Sequence, residues 1–190
     1  QGTLGIVTEI TFRLVPVKPI SKLLVVFLKD LSPVAHLVNE LLPLHPESLE
    51  SYDDNTIKLA LRFWWGIMKA IKVRHFFRLI AGFLPEVFLI IRGGWPKLVV
   101  IVEFSGDDEA KIDQSLVEAS KRVAKLGLLH RVTKTDEEEA GYWTIRRESF
   151  NLLRHHVKGK RTAPFIDDII VRPEFLPEFL PRLYALLDKY

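Results

Sequence analysis

The 190-residue sequence contains no cysteine. It can therefore form no disulfide framework, thiolate nucleophile, cysteine-ligated zinc site or iron–sulfur cluster. It also lacks an uninterrupted apolar run of about 18 residues, the length that a transmembrane helix requires, because lysine and arginine interrupt its most hydrophobic stretch. The sequence thus predicts neither a disulfide-stabilised scaffold nor an integral membrane helix.

Hydrophobic residues make up 48% of the chain and charged residues 27%, which is typical of a globular protein with a buried core. The net charge of +3 is too small to indicate nucleic-acid binding by itself. The charge is unevenly distributed, however. Residues 55–97 contain eight Lys or Arg and a single acid, Glu86, so the rest of the chain is net acidic.

Hydrophobic periodicity predicts alternating strands and helices. The predicted strands are 22–28, 49–52, 97–104, 130–133 and 165–171. The predicted helices are 33–42, 56–91 with breaks at Gly82 and Pro85, 107–127, 136–154 and 176–187. Ser32 is expected to cap the first helix and Gly127 to end the third. This order favours an α+β fold, a ferredoxin-like antiparallel sheet with helices packed on one side and a helical insertion at 55–97.

The first residues, QGTLGIVTEITFRLVP, combine two glycines with a run rich in β-branched residues, which predicts a strand. Gly2 and Gly5 flank Thr3 and Leu4, and glycine lets backbone N–H groups approach a phosphate or a ring closely. The same spacing occurs in ordinary tight turns. The residues alone leave both interpretations open.

Three stretches together resemble the FAD-linked oxidases of the vanillyl-alcohol oxidase type, in the branch of D-2-hydroxyacid dehydrogenases, glycolate oxidases and D-lactate dehydrogenases. They are QGTLGIVTEITFRLVP, YWTIRRESF and FIDDIIVRPEFLPEF. The resemblance implies that residues 1–18 are the last strand and linker of an upstream FAD-binding domain. It implies that 19–190 form a cap or substrate domain that is incomplete at its C-terminus, in a fragment of a longer protein.

The resemblance also implies a cofactor site and a reaction. Residues 2–6 would belong to the FAD site, with Gly2, Thr3, Leu4, Gly5 and Ile6 as its remnants. The full-length protein would oxidise a small 2-hydroxy acid, D-lactate or glycolate-like, by hydride transfer to FAD. The fragment alone is expected neither to bind FAD nor to turn over, and no metal site or catalytic base is predicted within it.

Two residues are candidates for binding the substrate. Arg146 lies three residues after Trp143, on the same helical face, and a guanidinium is the preferred bidentate partner of a carboxylate. The resemblance implies that Arg146 is the substrate-binding arginine; the alternative is a surface arginine paired with Glu138 or Glu139. Asp168 matches an acidic residue of the family's last strand.

One substitution bears on the substrate that the resemblance implies. Where hydroxyglutarate-type relatives carry a lysine shortly before the acid that Asp168 matches, this sequence has Ile166. That difference argues against a dicarboxylate substrate.

The alternative function is an interaction module that binds a membrane surface or a protein partner. Residues 62–91 combine aromatic and aliphatic side chains with Lys69, Lys72, Arg74 and Arg78, a composition typical of helices at an anionic interface. Packing of this apolar section inside the protein explains the same composition. A cytoplasmic location is expected, with peripheral contact at the inner face of a membrane if the section binds lipid; no nucleic-acid partner is expected.

Overall fold

The structure is a computed structural model that describes residues 4–62, 94–156 and 170–189. Its strands are β1 (Ile20–Leu28), β2 (Ser48–Asp53), β3 (Leu98–Gly106) and β4 (Leu129–Val132). Its α-helices are α1 (Val34–Leu41), α2 (Asp54–Arg62), α3 (Glu109–Lys125), α4 (Asp136–His156) and α5 (Leu176–Leu187), with 3₁₀ turns at Leu42–Leu44 and Pro173–Phe175.

The four strands form one antiparallel sheet in the order β2-β3-β1-β4. Two β-α-β units with this strand order make the ferredoxin-like arrangement, so the predicted α+β class and antiparallel sheet are confirmed. The two central strands, β1 and β3, are the most continuously apolar segments of the chain. β2 and β4 are shorter and more polar, as edge strands usually are.

One face of the sheet, called here the first face, carries Leu24, Val26 and Leu28 of β1 and is covered by α1 and α3. The other buried members of this core are Val34, Leu37, Leu41, Leu98, Val100, Val102, Phe104, Ile112, Leu116, Ala119 and Val123. Leucine and valine recur at helical spacing in both helices, which places one apolar stripe of each against the sheet.

The second face carries Leu23, Val25 and Phe27 of β1, and it is also covered. Tyr142 of α4 is buried against it, Ile57 of α2 packs beside it, and α2 contacts α4. Helices α1 and α3 pack on one side as predicted, whereas the cover that α2 and α4 provide on the other side was not predicted. Because neighbouring side chains of a strand project to opposite faces, a strand that is apolar at every position needs cover on both.

The boundaries of the helices follow local signals in two cases and not in a third. Asp108 accepts hydrogen bonds from the backbone N–H groups of Ala110 and Lys111 and so begins α3. Gly127 adopts a φ of 68° just after α3, the left-handed conformation that glycine favours at this position. Ser32 does not cap α1 as expected; its hydroxyl binds Asp30, and Pro33 precedes the helix.

Some predictions concern segments without regular structure or beyond the described residues. Residues 4–18 form no strand in this structure, and their apolar side chains are exposed. A strand needs a neighbour to pair its backbone groups. That residues 1–18 are the last strand and linker of an upstream FAD-binding domain stays a prediction. Residues 170–172 are likewise irregular, and the rest of predicted strand 165–171 lies outside the described residues.

The insertion predicted at 55–97 is described only at its two ends. Its beginning is helical, in α2, and Ala60 of that helix is buried. The backbone N–H of Asp54 donates to the carbonyl of Lys97 at 3.1 Å, so the chain leaves and returns to the sheet at one place. Apart from Arg62, the predicted membrane-facing section 62–91 lies outside the described residues. Among the helices that are described, none is both long and apolar enough to cross a membrane.

Candidate functional site

Helix α4 places Arg146 beside the edge strand β2. Tyr142, Trp143 and Ile145 pack against the second face and fix the helix on the sheet. Arg146 directly follows Ile145, and its Nη2 is 2.5 Å from Oε2 of Glu50 on β2. The side chain of Arg146 remains 44% exposed, so it can contact a ligand as well as Glu50.

Arg146 lines a pocket of about 360 Å³ around the edge of β2. The pocket combines hydroxyl groups, one carboxylate, one guanidinium and an apolar floor. Its lining residues are Ser51, Tyr52, Asp53, Thr56, Leu98, Arg146, Leu180 and Tyr184. A cleft with a few convergent polar groups and apolar walls suits a small polar molecule with an apolar part.

The carboxylate in this lining is Asp53, at the junction of β2 and α2. Its Oδ1 accepts hydrogen bonds from the backbone N–H of Thr56 at 2.9 Å and from the Thr56 hydroxyl at 2.8 Å. Its Oδ2 accepts from Asn55 Nδ2 at 3.2 Å. These bonds hold Asp53 at the start of the helix, where a negative charge is favourable.

The next residue, Asp54, is buried and paired. Its Oδ2 is 2.8 Å from Lys58 Nζ and 3.2 Å from Lys97 Nζ. Burial acts to raise the pKa of Asp54, but the hydrogen bonds from the two lysines outweigh it, so the pKa is lowered and the carboxyl stays ionised.

Tyr184 brings a phenol from α5 into the pocket lining. Burial raises the pKa of this phenol, and the carboxylates of Asp53 and Asp54 raise it further. The hydroxyl group is therefore protonated at neutral pH and able to donate a hydrogen bond. The negative charges of the two aspartates therefore act on the pocket lining.

The alternative partners that the sequence offered for Arg146 are engaged elsewhere. Glu138 forms an ion pair with Arg131 of β4. Glu139 accepts a hydrogen bond from the hydroxyl of Thr133 at 3.0 Å. The ion pair of Arg146 described above is instead with Glu50, which is 96 positions away along the chain and could not be identified from helical spacing.

Glu139 belongs to a polar cluster on the second face, defined as Ser21, Ser48, Glu103, Thr133 and Glu139. Glu103 accepts hydrogen bonds from Ser21 and Ser48, each at 2.9 Å. The pKa of Glu139 is raised to about 7. Burial is the main cause and the negative charges of Asp136 and Glu103 add to it, while the hydrogen bond from the Thr133 hydroxyl acts in the opposite direction. This cluster could not be identified from the sequence, because its members come from β1, β2, β3, α4 and the segment that joins β4 to α4.

The structure brings Arg146, one of the substrate-binding candidates from the sequence, together with residues that the sequence did not indicate. Asp53, Thr56 and Tyr184 line the pocket with Arg146, and Glu50 pairs with Arg146. The i, i+4 spacing of Leu180 and Tyr184 in the predicted last helix places both on one face. Nothing in the sequence indicates that this face lies beside β2. Asp168, the second substrate-binding candidate, lies outside the described residues.

The predicted FAD-binding segment does not form an enclosed site in the part that is described. Gly2 and Thr3 lie outside the described residues, and the side chains of Leu4 and Ile6 are almost fully exposed. A Cβ added to Gly5 would meet no atom within 4 Å. These three residues therefore do not by themselves make a cradle that fits a flavin. Their role in binding FAD stays a prediction of the resemblance.

No metal centre is apparent in residues 4–62, 94–156 and 170–189. No three His, Asp or Glu side chains in these ranges lie close enough together to hold an ion.

Two curated proteins that are similar to this chain are named as dehydrogenases of the same acid. A D-2-hydroxyglutarate dehydrogenase from Pseudomonas putida is 25% identical over 199 residues, covering 100% of this chain and 18% of the relative. A D-2-hydroxyglutarate dehydrogenase from Escherichia coli is 32% identical over 97 residues, covering 47% of this chain and 10% of the relative. The chain thus spans less than a fifth of the length of these relatives.

Among solved structures, an alkyldihydroxyacetonephosphate synthase matches 72% of this chain and 25% of its own, with 13% identity and a TM-score of 0.46. The family described as FAD linked oxidases, C-terminal domain, matches residues 19–190. That match includes all the described strands and helices and every residue that lines the pocket. The chain therefore belongs to the C-terminal domain family of the FAD-linked oxidases.

Proposed function

We propose that this chain is the substrate domain of a flavin-dependent 2-hydroxyacid dehydrogenase and that Arg146 binds the carboxylate of the substrate. The observation that carries the proposal is the position of Arg146 in the pocket at β2, with hydroxyl groups and apolar side chains around it. Support from outside the pocket comes from the family and from the names of the relatives.

The lining offers one group for each part of a 2-hydroxy acid. The guanidinium of Arg146 binds the carboxylate by charge-assisted hydrogen bonds. The Tyr184 hydroxyl donates to the substrate and Asp53 accepts from the substrate hydroxyl, while Leu98 and Leu180 contact its carbon chain. FAD, which the family name gives as the cofactor of the full-length proteins, supplies the electron acceptor when it is bound. The residues of this chain bind and orient the acid.

The proposed substrate is a small acid such as D-lactate or glycolate. A second candidate is D-2-hydroxyglutarate, because both curated relatives described above are dehydrogenases of that acid. The two candidates differ in one respect that matters to the pocket, since D-2-hydroxyglutarate has a second carboxylate.

The test is made on the full-length protein. Its absorbance spectrum is recorded for bound flavin, and reduction of an artificial electron acceptor is measured with D-lactate, glycolate and D-2-hydroxyglutarate. We expect a flavin spectrum and turnover of at least one of the three acids. A protein without flavin, or one inactive with all three acids, would contradict the proposal.

A further inference from the structure

We propose that Glu50 and Asp53 determine substrate specificity by restricting the pocket to 2-hydroxy acids that carry a single carboxylate. The inference rests on the proposed function, because it takes Arg146 as the ligand of the substrate carboxylate. It concerns two residues whose roles follow from the contacts of the pocket and from the charge that each brings to it.

The pocket lining that the structure describes carries few charges. Among the described lining residues, Arg146 has the only positive charge and Asp53 the only negative one. Glu50 adds a second negative charge directly on the guanidinium, 2.5 Å from Nη2. A guanidinium has five N–H donors and can bind two carboxylates at once. Glu50 therefore already occupies part of the donor capacity of Arg146.

The described lining offers no second cation for another carboxylate. Lys58 of α2 and Lys97 at the start of β3 are both bound to Oδ2 of Asp54. Neither lines the pocket. Within the lining that the structure describes, a second substrate carboxylate would meet the negative charge of Asp53 and no positive charge other than Arg146, and like charges repel at short range.

The carboxylates of Asp53 and Asp54 also act on another group of the pocket lining. Tyr184 lines the pocket together with Arg146, and its pKa is raised because it is buried and because Asp53 and Asp54 are negative. Charges that disfavour the ionised form of this phenol also disfavour a second carboxylate of a substrate in the pocket.

The experiment measures the ratio of kcat/KM for D-2-hydroxyglutarate to kcat/KM for D-lactate in the full-length protein. We expect the wild type to prefer D-lactate. Glu50→Gln and Asp53→Asn each remove one negative charge with little change in shape, and each is expected to raise the ratio on the order of tenfold. Asparagine keeps the capacity to cap α2.

Ser51→Lys is the gain-of-function variant. Ser51 is exposed and lines the pocket, so a lysine there adds a cation without filling the core. It should raise the same ratio by a similar factor. This variant keeps the proposal testable if Asp53→Asn fails to fold. Glu47→Gln is the matched control: Glu47 is an exposed carboxylate bound to Lys18 and Ser105, outside the pocket lining, and its removal should leave the ratio unchanged.

The outcomes separate this inference from the proposed function. A wild type that prefers D-2-hydroxyglutarate overturns the inference, and so does a ratio that none of the three pocket variants changes. If Arg146→Lys still lowers kcat/KM in those cases, the proposed function stands and only the specificity assignment fails. If Arg146→Lys leaves kcat/KM unchanged for both acids, the carboxylate site itself is refuted.

Discussion

The two faces of the sheet differ in composition although the same strands supply both. The first face, under α1 and α3, has a continuous core of leucine, valine and isoleucine. The second face, under α2 and α4, is apolar only at its centre. Around that centre lie the polar cluster with Glu103 and Glu139 and the ion pair of Arg146 with Glu50.

This difference separates stability from recognition. An apolar core can be built from many similar side chains, because burial depends on area and on volume. A polar group next to a core must have a specific partner, since an unpaired buried group is costly. The second face can therefore present Arg146 in a defined place while the first face holds the sheet together. Four substitutions, two of them paired with a matched control, test this division in order of decreasing expected effect.

The largest effect is expected in the first-face core. Leu37 of α1 is fully buried. Leu37→Ala removes apolar contacts and leaves a cavity, which typically costs about 2–5 kcal/mol of the free energy of unfolding. Urea unfolding of the chain followed by circular dichroism measures it. A loss below about 1 kcal/mol would mean that the first face is not the main source of stability.

The next effect concerns function alone. In the full-length protein, Arg146→Lys should lower kcat/KM for the 2-hydroxy acid by about 1–3 kcal/mol of transition-state binding, because lysine keeps the charge but loses the planar pair of donors. Arg147→Lys is the matched control on the next, also exposed, position of α4, outside the pocket lining. Equal kinetics for the two variants would contradict a special role for Arg146.

The third effect depends on pH. The pKa of Glu139 is about 7 in the folded chain against 4.5 for an exposed glutamate. Between these values the folded state holds the proton and the unfolded state releases it, so the stability contributed by Glu139 falls as pH rises from about 4.5 to 7. Glu139→Gln should therefore gain stability over the wild type at pH 8, on the order of 1–2 kcal/mol after solvent screening, and almost none near pH 4.

A matched substitution on the other side of the sheet gives the opposite sign. Glu118 of α3 accepts a hydrogen bond from Arg122, which lowers the pKa of Glu118. Its stabilising contribution is present at neutral pH and is lost in acid, so Glu118→Gln should not gain stability at pH 8. Thermal unfolding of both variants across the pH range checks the pair. A gain for Glu118→Gln, or none for Glu139→Gln, would contradict the assignment.

The smallest effect is expected from surface charge at the first face. Lys22 Nζ lies 2.9 Å from Glu109 Oε1 and 2.6 Å from Asp113 Oδ1, and both acids are more than half exposed. Lys22→Met keeps the apolar stem and should cost only about 0.2–1 kcal/mol in thermal unfolding. Raising the salt concentration should shrink the difference from the wild type. A larger, salt-independent loss would show that charge matters more at this face than its composition suggests.

The elements were largely predictable from the sequence, whereas their arrangement around the site was not. The predicted helix 176–187 coincides with α5, and predicted strands 22–28 and 97–104 lie within one or two residues of β1 and β3. These segments have strong periodicity or continuous apolar runs. The cover on the second face was not predicted, because periodicity identifies the buried positions of an element but does not count the layers that bury them.

Arg146 shows how much of the candidate site could be predicted from the sequence. Its residue type, its helical spacing from Trp143 and a family resemblance made it a candidate from the sequence. The pocket around it required contacts among β2, α2, α4 and α5, which are distant along the chain. Glu50, Asp53 and Tyr184 have no local signal of function, since an exposed acid or a tyrosine on an amphipathic helix is common in any soluble fold.

The sequence by itself determined the α+β class, the central strands and the helices that cover the first face, because alternating and helical patterns of apolar residues specify them through burial. Only the tertiary structure decided that α4 covers the second face, that Arg146 pairs with Glu50, and that Glu139 titrates near neutral pH. Each of those outcomes depends on the distance or the solvent exclusion between groups far apart in the chain, and no local pattern encodes either quantity.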